Sequence, residues 1–318
     1  MTVVSVRVPA TSANLGPGFD CLGLALDLVN EASFREAGAG IRIQVQGEGA
    51  GHLPLDGRNL IARAALRVYA AAGQPAPDGL EITCQNRIPL SSGLGSSAAA
   101  SLTGLLGANA LLGRPFSHSQ ILELALAFEG HPDNAAPALY GSLVIAACKD
   151  GCAGIERQPG FPTGENLLVR VIPTPELEVV VVVPAFRLST QAARAALPRR
   201  VHLNEAVFNL GRTALVVEAL RSGDLDLLGQ AMEDRLHQPH RLKLVPGAEA
   251  ALEGACRAGA AAAAISGAGP GLIAFPIPGR AESVAQAMQA AFGAAGLDAR
   301  HRHRGRAHQP GAGGFRRR

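Results

Sequence analysis

Apolar and polar residues alternate over residues 3–8, the period-two pattern of a half-buried β-strand. Residues 22–30 and 41–46 read as further strands, and 59–72 carries Leu60, Ala64, Leu66 and Val68 at helical spacing. A strand is predicted over 80–86. An Ala/Leu-rich run over 98–112 reads as a helix, and 117–129 as another with Ser117 or Ser119 at its N-cap. The segment His131-Pro132-Asp133-Asn134 breaks that helix, and 143–147 reads as a strand. Residues 151–166, rich in Gly and Pro, look like a linker. Beyond it, strands are predicted at 169–172 and 177–183, and helices at 190–197, 203–220, 224–236 and 248–258. Residues 260–266 and 272–275 form a strand pair around a glycine turn, and 282–292 is the last helix. The order is mixed α+β in two lobes, without an internal repeat.

Composition narrows the class. The chain has 318 residues, 47% hydrophobic and 17% charged, which fits a soluble globular protein of one large or two ordinary domains. There is no Trp and aromatics make up only 4%, which argues against base-stacking surfaces and a nucleic-acid partner. The net charge of +3 is unevenly placed: Arg300, Arg302, Arg304, Arg306, Arg316, Arg317 and Arg318 crowd the C-terminus, and without them acids outnumber bases. A nucleic-acid arm is one reading of this tail; a disordered or non-native end over 301–318 is the preferred one. Cys21, Cys84, Cys148, Cys152 and Cys256 are scattered, and read as small apolar residues in a reducing cytoplasm. No signal-peptide pattern opens the chain. The uncharged stretch 88–113 is interrupted by polar residues and glycines. Its apolar part falls short of the ~20 residues a membrane span needs, so no membrane partner is expected.

The densest chemistry lies between the strand at 80–86 and the following helix. The run Pro89-Leu90-Ser91-Ser92-Gly93-Leu94-Gly95-Ser96-Ser97-Ala98-Ala99 sets glycines and serines at a helix start. Strand, glycine-serine loop and helix hold a polyphosphate well. Glycines let backbone N–H groups approach the anion, and the helix N-terminus adds unpaired donors and a favourable dipole. A plain capped helix would explain one Ser or Gly, but not this many. The run lacks the Gly-Lys-Ser/Thr of a Walker loop. A Rossmann turn fits Gly93-x-Gly95-x-x-Ala98 only weakly: it follows too many elements, and Glu123 falls mid-helix, a poor place for a ribose-binding acid.

Other clusters accompany it. Residues 9–20 form a Pro/Gly-rich loop presenting Thr11, Ser12, Asn14 and Asp20, where Asp20 can accept from an ammonium or hydroxyl. Glu129 closes a helix, where its charge opposes the dipole unless a cation compensates, which hints at Mg²⁺. His131, with no second histidine beside it, suits hydrogen bonding better than metal ligation. Thr190 with Arg194, and Arg241, bring guanidinium forks suited to a carboxylate, although either arginine alone reads equally as a surface residue. His237 and His240 make a poor metal pair. The turn Ile265-Ser266-Gly267-Ala268-Gly269-Pro270-Gly271 can close under phosphates, or serve only as a tight hairpin.

Taken together, residues 6–23, 89–99, 129–138 and 265–271 resemble the motifs of the GHMP small-molecule kinases, in the form that phosphorylates homoserine. The resemblance covers residues 3–299. It implies a ribosomal-S5-domain-2-like N-terminal lobe over 1–160 that binds ATP, and a ferredoxin-like C-terminal lobe over 161–300. It further implies that residues 89–99 wrap the ATP phosphates, that Ser96 and Glu129 hold Mg²⁺, and that Asn59 lies near the adenine. Asn14, Asp20, His131 and Asn134 would hold the amino alcohol L-homoserine, with Asn14, Asp20, Glu129 and Ser96 at the reacting centre and Asp20 as an orienting group. Arg194 and Arg241 would clamp the substrate carboxylate, with Thr190 and Gly267 nearby. A homodimer is left open. Two departures stand out: Gly271 replaces the usual Thr or Ser of the third motif, and the tail from His301 lacks the family's closing strand. The rivals are a kinase of the same fold for mevalonate-like or sugar-like alcohols, a nucleotide-binding regulator without turnover, and a dehydrogenase.

Overall fold

The computed structural model describes residues 3–149, 162–306 and 316–317. It is an α+β chain built on two sheets. The first has seven strands. At its centre, β1 (Val3–Ala13) pairs antiparallel with the long β2 (Leu22–Glu36), with a register shift at Pro9/Ala10. Next to β2 lies β4 (Gly79–Asn86), which pairs in parallel with β3 (Gly40–Gly47). The other end of β2 pairs with β5 (Leu143–Cys148), which pairs with β6 (Leu167–Ile172). The first sheet therefore carries its lobe past the expected boundary at 160/161 as far as Ile172. The linker expected over 151–166 lies largely outside the described residues.

Four helices pack on this sheet. Asn59 caps α1 (Leu60–Ala71), accepting from the Ile61 amide. Helix α2 (Ser96–Leu111) is apolar nearly all round and almost wholly buried, as its sequence predicts. Ser117 and Gln120 form a reciprocal capping box at the start of α3 (His118–Glu129). The break after α3 is short: Gly130 takes the left-handed conformation, and α4 (Pro132–Tyr140) starts at once with Pro in its first turn. The sequence reading missed α4 because Pro132 looks like a breaker, yet proline at the first helical position costs no hydrogen bond.

The second sheet has the strand order β10-β7-β9-β8. It contains β7 (Glu178–Pro184), β8 (Ala260–Ile265), β9 (Leu272–Pro276) and β10 (Ala299–Arg306). Counted within the lobe this is fourth, first, third, second, the ferredoxin-like arrangement. Where a disordered or non-native tail was expected from His301, the backbone continues as β10 to Arg306, antiparallel to β7. Strand pairing uses main-chain groups, so basic side chains do not forbid it. Arg316–Arg317 form β11 against β1; residues 307–315 lie outside the described residues.

The run Val179–Val182 shows why β7 is apolar throughout. Val179 and Val181 face the large core, while Val180 and Val182 face a second core. That second core includes residues of α9 (Ala248–Arg257) and α10 (Ala281–Ala294). The large core also takes in Val216, Ala219 and Leu220 of α6 (Leu203–Ser222) and Leu228 of α7 (Leu225–Ala231), so apolar packing is continuous between the lobes. The predicted helix over 224–236 stops early. The Asp234 carboxylate accepts from the amides of Leu236, His237 and Gln238 and from Asn209, which turns the chain into the short α8 (Gln238–Arg241). Cys21, Cys84 and Cys256 are free thiols. Cys148 is disulfide-bonded, correcting its reading as a lone apolar residue.

Candidate active site

Three glycine-bearing turns interlock where the lobes meet. The Thr11 amide donates to the Leu94 carbonyl at 3.1 Å, the Gly267 amide to Ala13 at 3.0 Å, and the Gly271 amide to Ser92 at 3.1 Å. The buried Ser266 hydroxyl spans Ser12 Oγ at 2.9 Å and the Gly93 carbonyl at 2.8 Å. The fit leaves no room for side chains: a Cβ on Gly95 would lie 2.1 Å from Thr11 Oγ1, and one on Gly93 would lie 2.3 Å from the Ser266 carbonyl. Gly271 falls under the same constraint, its Cβ position being 2.3 Å from the Ser92 carbonyl. A hydroxyl-bearing residue there would collide, so the departure at this position is tied to packing.

Below these turns opens a cavity of about 440 Å³. Ser91, Ser92, Gly93, Gly95, Ser96 and Ser97 line one side. Helix α2 enters it from Gly95 with no side-chain cap, an arrangement whose first-turn amides can serve an anion. Pro89, Leu90, Leu94, Ala98 and Ala99 stand outside the lining: Leu94, Ala98 and Ala99 are core residues, Pro89 accepts from the Ser92 hydroxyl at 2.8 Å, and Leu90 is exposed. Asn59 is also absent from the lining. Both ends of its amide are engaged, with the Pro54 carbonyl and the Ile61 amide, in capping α1.

The opposite side is polar and charged. Glu129, the last residue of α3, accepts from Ser97 Oγ at 2.7 Å; Ser96, expected to accompany it, lines the cavity one residue away. Burial raises the Glu129 carboxyl above its ordinary range, with the Ser97 hydrogen bond and the His131 charge pulling the other way. His131 contacts the Asp133 carboxylate through Nδ1. Burial opposes its charged form, but the hydrogen bond and charge of Asp133 and the charge of Asp20 outweigh this, and the imidazole is raised. Asp133 Oδ2 is buried without a partner and Asp133 lines the cavity. Asn134 accepts from the Thr11 hydroxyl at 2.9 Å. Cys21, near Asp133 and Asp20, is pushed up to about 11 by burial and their charges, so it stays a thiol.

Asn14 adopts a left-handed backbone (φ 72°), and its amide donates to the Gly267 carbonyl at 2.6 Å and accepts from the Asp20 N–H at 3.0 Å. Asp20 forms a two-pronged ion pair with Arg194, at 2.8 and 3.1 Å. Arg194 comes from α5 (Thr190–Ala195), whose Thr190 also lines the cavity. Arg241 reaches the cavity while only 1% exposed, donating to the Gly267 carbonyl at 3.1 Å. Every substrate-side residue expected from the sequence thus lines one cavity, together with Asp133, Phe128, Leu188 and Ser189, which the sequence did not single out.

Known proteins share the sequence and fold of this chain. The family of GHMP kinases N terminal domains matches residues 59–142, and that of GHMP kinases C terminal domains matches 216–294. The homoserine kinase of Moorella thermoacetica is 45% identical over 296 residues, 92% of this chain and 93% of that protein. The crystal structure of homoserine kinase from Cytophaga hutchinsonii superposes with a TM-score of 0.83 at 31% identity, covering 99% of this chain and 97% of that one. Mevalonate kinase of L. major shares the fold, with a TM-score of 0.71 at 16% identity. Glycine turns interlocked over one helix start, and sequence kinship along nearly the whole chain, lead to one conclusion: the chain belongs to the GHMP kinase family, among its homoserine kinases.

Proposed function

We propose that the chain transfers the γ-phosphoryl group of ATP to the side-chain hydroxyl of L-homoserine, giving ADP and O-phospho-L-homoserine, a step towards threonine. The observation that carries this reading is a single cavity with an anion-binding helix start on one wall and paired acidic and guanidinium groups on the other. The hydroxyl oxygen forms a bond to phosphorus, the bond from phosphorus to the bridging oxygen of ADP breaks with its electron pair staying on ADP, and the hydroxyl proton passes to solvent water. Such a transfer relies mainly on positioning and charge neutralisation.

The N-terminal lobe supplies the nucleotide side. The first-turn amides of α2, with Ser91, Ser92, Gly93 and Gly95, would bind the triphosphate. Glu129, Ser96 and Ser97 offer hard oxygen donors at the cavity wall, a set that suits Mg²⁺. When bound there, Mg²⁺ neutralises charge on the transferring phosphoryl oxygens. On the substrate side, Asp20 would accept from the ammonium and orient the amino acid, with Asn14, His131 and Asn134 around it. Arg194 and Arg241 would take its carboxylate, beside Thr190 and Gly267. No helix among the described residues is long and apolar enough to cross a membrane.

The test is ADP release from Mg·ATP with a panel of alcohols. L-homoserine should support turnover well above mevalonate or a simple sugar. Turnover with one of those and none with L-homoserine would overturn the assignment, as would nucleotide binding with no acceptor at all.

A further inference from the structure

Phe19 has no part in the cavity lining, yet both substrate-side arginines converge on it. The Arg241 guanidinium carbon lies over its ring at 5.0 Å from the centroid, and that of Arg194 at 5.7 Å. The same ring stacks on His237, at 5.2 Å between centroids and 27° between planes. His237 is in turn fixed by the Gly16 carbonyl at 2.7 Å, and its amide by Asp234 at 2.9 Å. Phe19 is thus a ring clamped from below, presenting π-density to two cations.

Two guanidiniums drawn to one carboxylate repel each other, and something must hold them together before the substrate arrives. Asp20 does this for Arg194 in the structure. Asp20 is also the group proposed to receive the substrate ammonium. Once it does, its hold on Arg194 weakens at the moment Arg194 is needed for the carboxylate. A ring quadrupole attracts cations without competing for the hydrogen-bond forks that carboxylate recognition uses.

We propose that Phe19 is a positioning residue for substrate recognition, its ring holding Arg194 and Arg241 side by side so that both can engage the amino-acid carboxylate. This inference rests on L-homoserine being the acceptor. Phe19→Leu keeps an apolar side chain and removes the ring face; Phe19→Tyr keeps the ring. Steady-state kinetics of both variants would be compared with the parent chain, together with inhibition by 3-aminopropan-1-ol, which is homoserine without its carboxylate.

Phe19→Leu should raise the KM for L-homoserine about tenfold, the scale of desolvated cation–π contacts. The KM for ATP and the inhibition constant of 3-aminopropan-1-ol should move less than about twofold, and Phe19→Tyr should stay near the parent. A rise in all three constants together, or a Tyr variant as impaired as the Leu variant, would overturn the positioning role and leave the kinase assignment standing. A parent chain that does not phosphorylate L-homoserine would overturn both. Should the Leu variant fail to fold, trifluorophenylalanine at position 19 keeps the shape and depletes the ring face; it must give the same split, and parent-like constants would refute the role.

Discussion

Arg194 and Arg241 bring like charge to one cavity from different surroundings. Arg194 is 39% exposed and pairs with Asp20, itself 33% exposed. Arg241 is 1% exposed and tied to the carbonyl of Gly267. Burial lowers the Arg241 guanidinium from its ordinary range, with Asp20 opposing and Arg194 adding to the shift. Arg194→Ala should therefore raise the KM for L-homoserine at least about tenfold while the melting temperature hardly moves, because exposed pairs contribute about 0–1 kcal/mol. Arg241→Ala should raise the same KM and also destabilise the fold by roughly 1.5–3 kcal/mol, since it removes a charged, buried donor from the Gly267 carbonyl, which keeps only Asn14. Kinetics beside thermal melts check both. The arginines were legible as a pair suited to a carboxylate. Their partners were not: spacing alone does not show that Asp20 answers Arg194 across 174 positions of chain. Likewise Asn59 has the residue type for nucleotide contact, but its helix-capping bonds appear only in three dimensions.

At the scale of elements, glycines divide into those the fold requires and those it tolerates. Gly95 has φ +65° and faces Thr11, whereas Gly211, in the middle of α6, has nothing within 4 Å of a Cβ position. Gly95→Ala should impair folding and ATP binding together. Gly211→Ala should stabilise the chain by about 0.5–1 kcal/mol with unchanged turnover, since alanine loses less entropy in a helix. Denaturant titration and ATP binding decide between these outcomes. Periodicity and capping residues placed most elements: Ser117 announces α3, and the run of valines announces the strand β7. Three features escaped. Pro132 hid α4, and after α7 the Asp234 carboxylate turns the chain through local bonds to the amides of residues 236–238 and one to Asn209, 25 positions away, which no helical periodicity shows. The basic composition of β10 hid a strand whose place is set by the open edge of β7.

Over the whole molecule, stability and pH are linked through the fully buried His237 and the partly buried His131. Burial depresses His237 below its ordinary value of 6.5. The folded chain therefore keeps it neutral while the unfolded chain takes up a proton, so its contribution is intact above about pH 6.5 and is lost as pH falls towards the lower folded value. His131 runs the opposite way: its raised pKa adds stability below its ordinary value of 6.5, and this is lost as pH rises through the raised value. His237→Gln should accordingly show a smaller drop in melting temperature than the parent between about pH 8 and about pH 5.5. An equal drop in both would remove His237 from the acid response.

The kinase assignment depends on the two walls of one cavity meeting different halves of a reaction. Phosphorus NMR of the products formed from Mg·ATP and L-homoserine tests this most directly. A phosphate monoester on the homoserine side-chain oxygen, appearing in step with ADP, is the predicted result. ADP that accumulates at the same rate without homoserine, or a mixture that yields neither product, would contradict it.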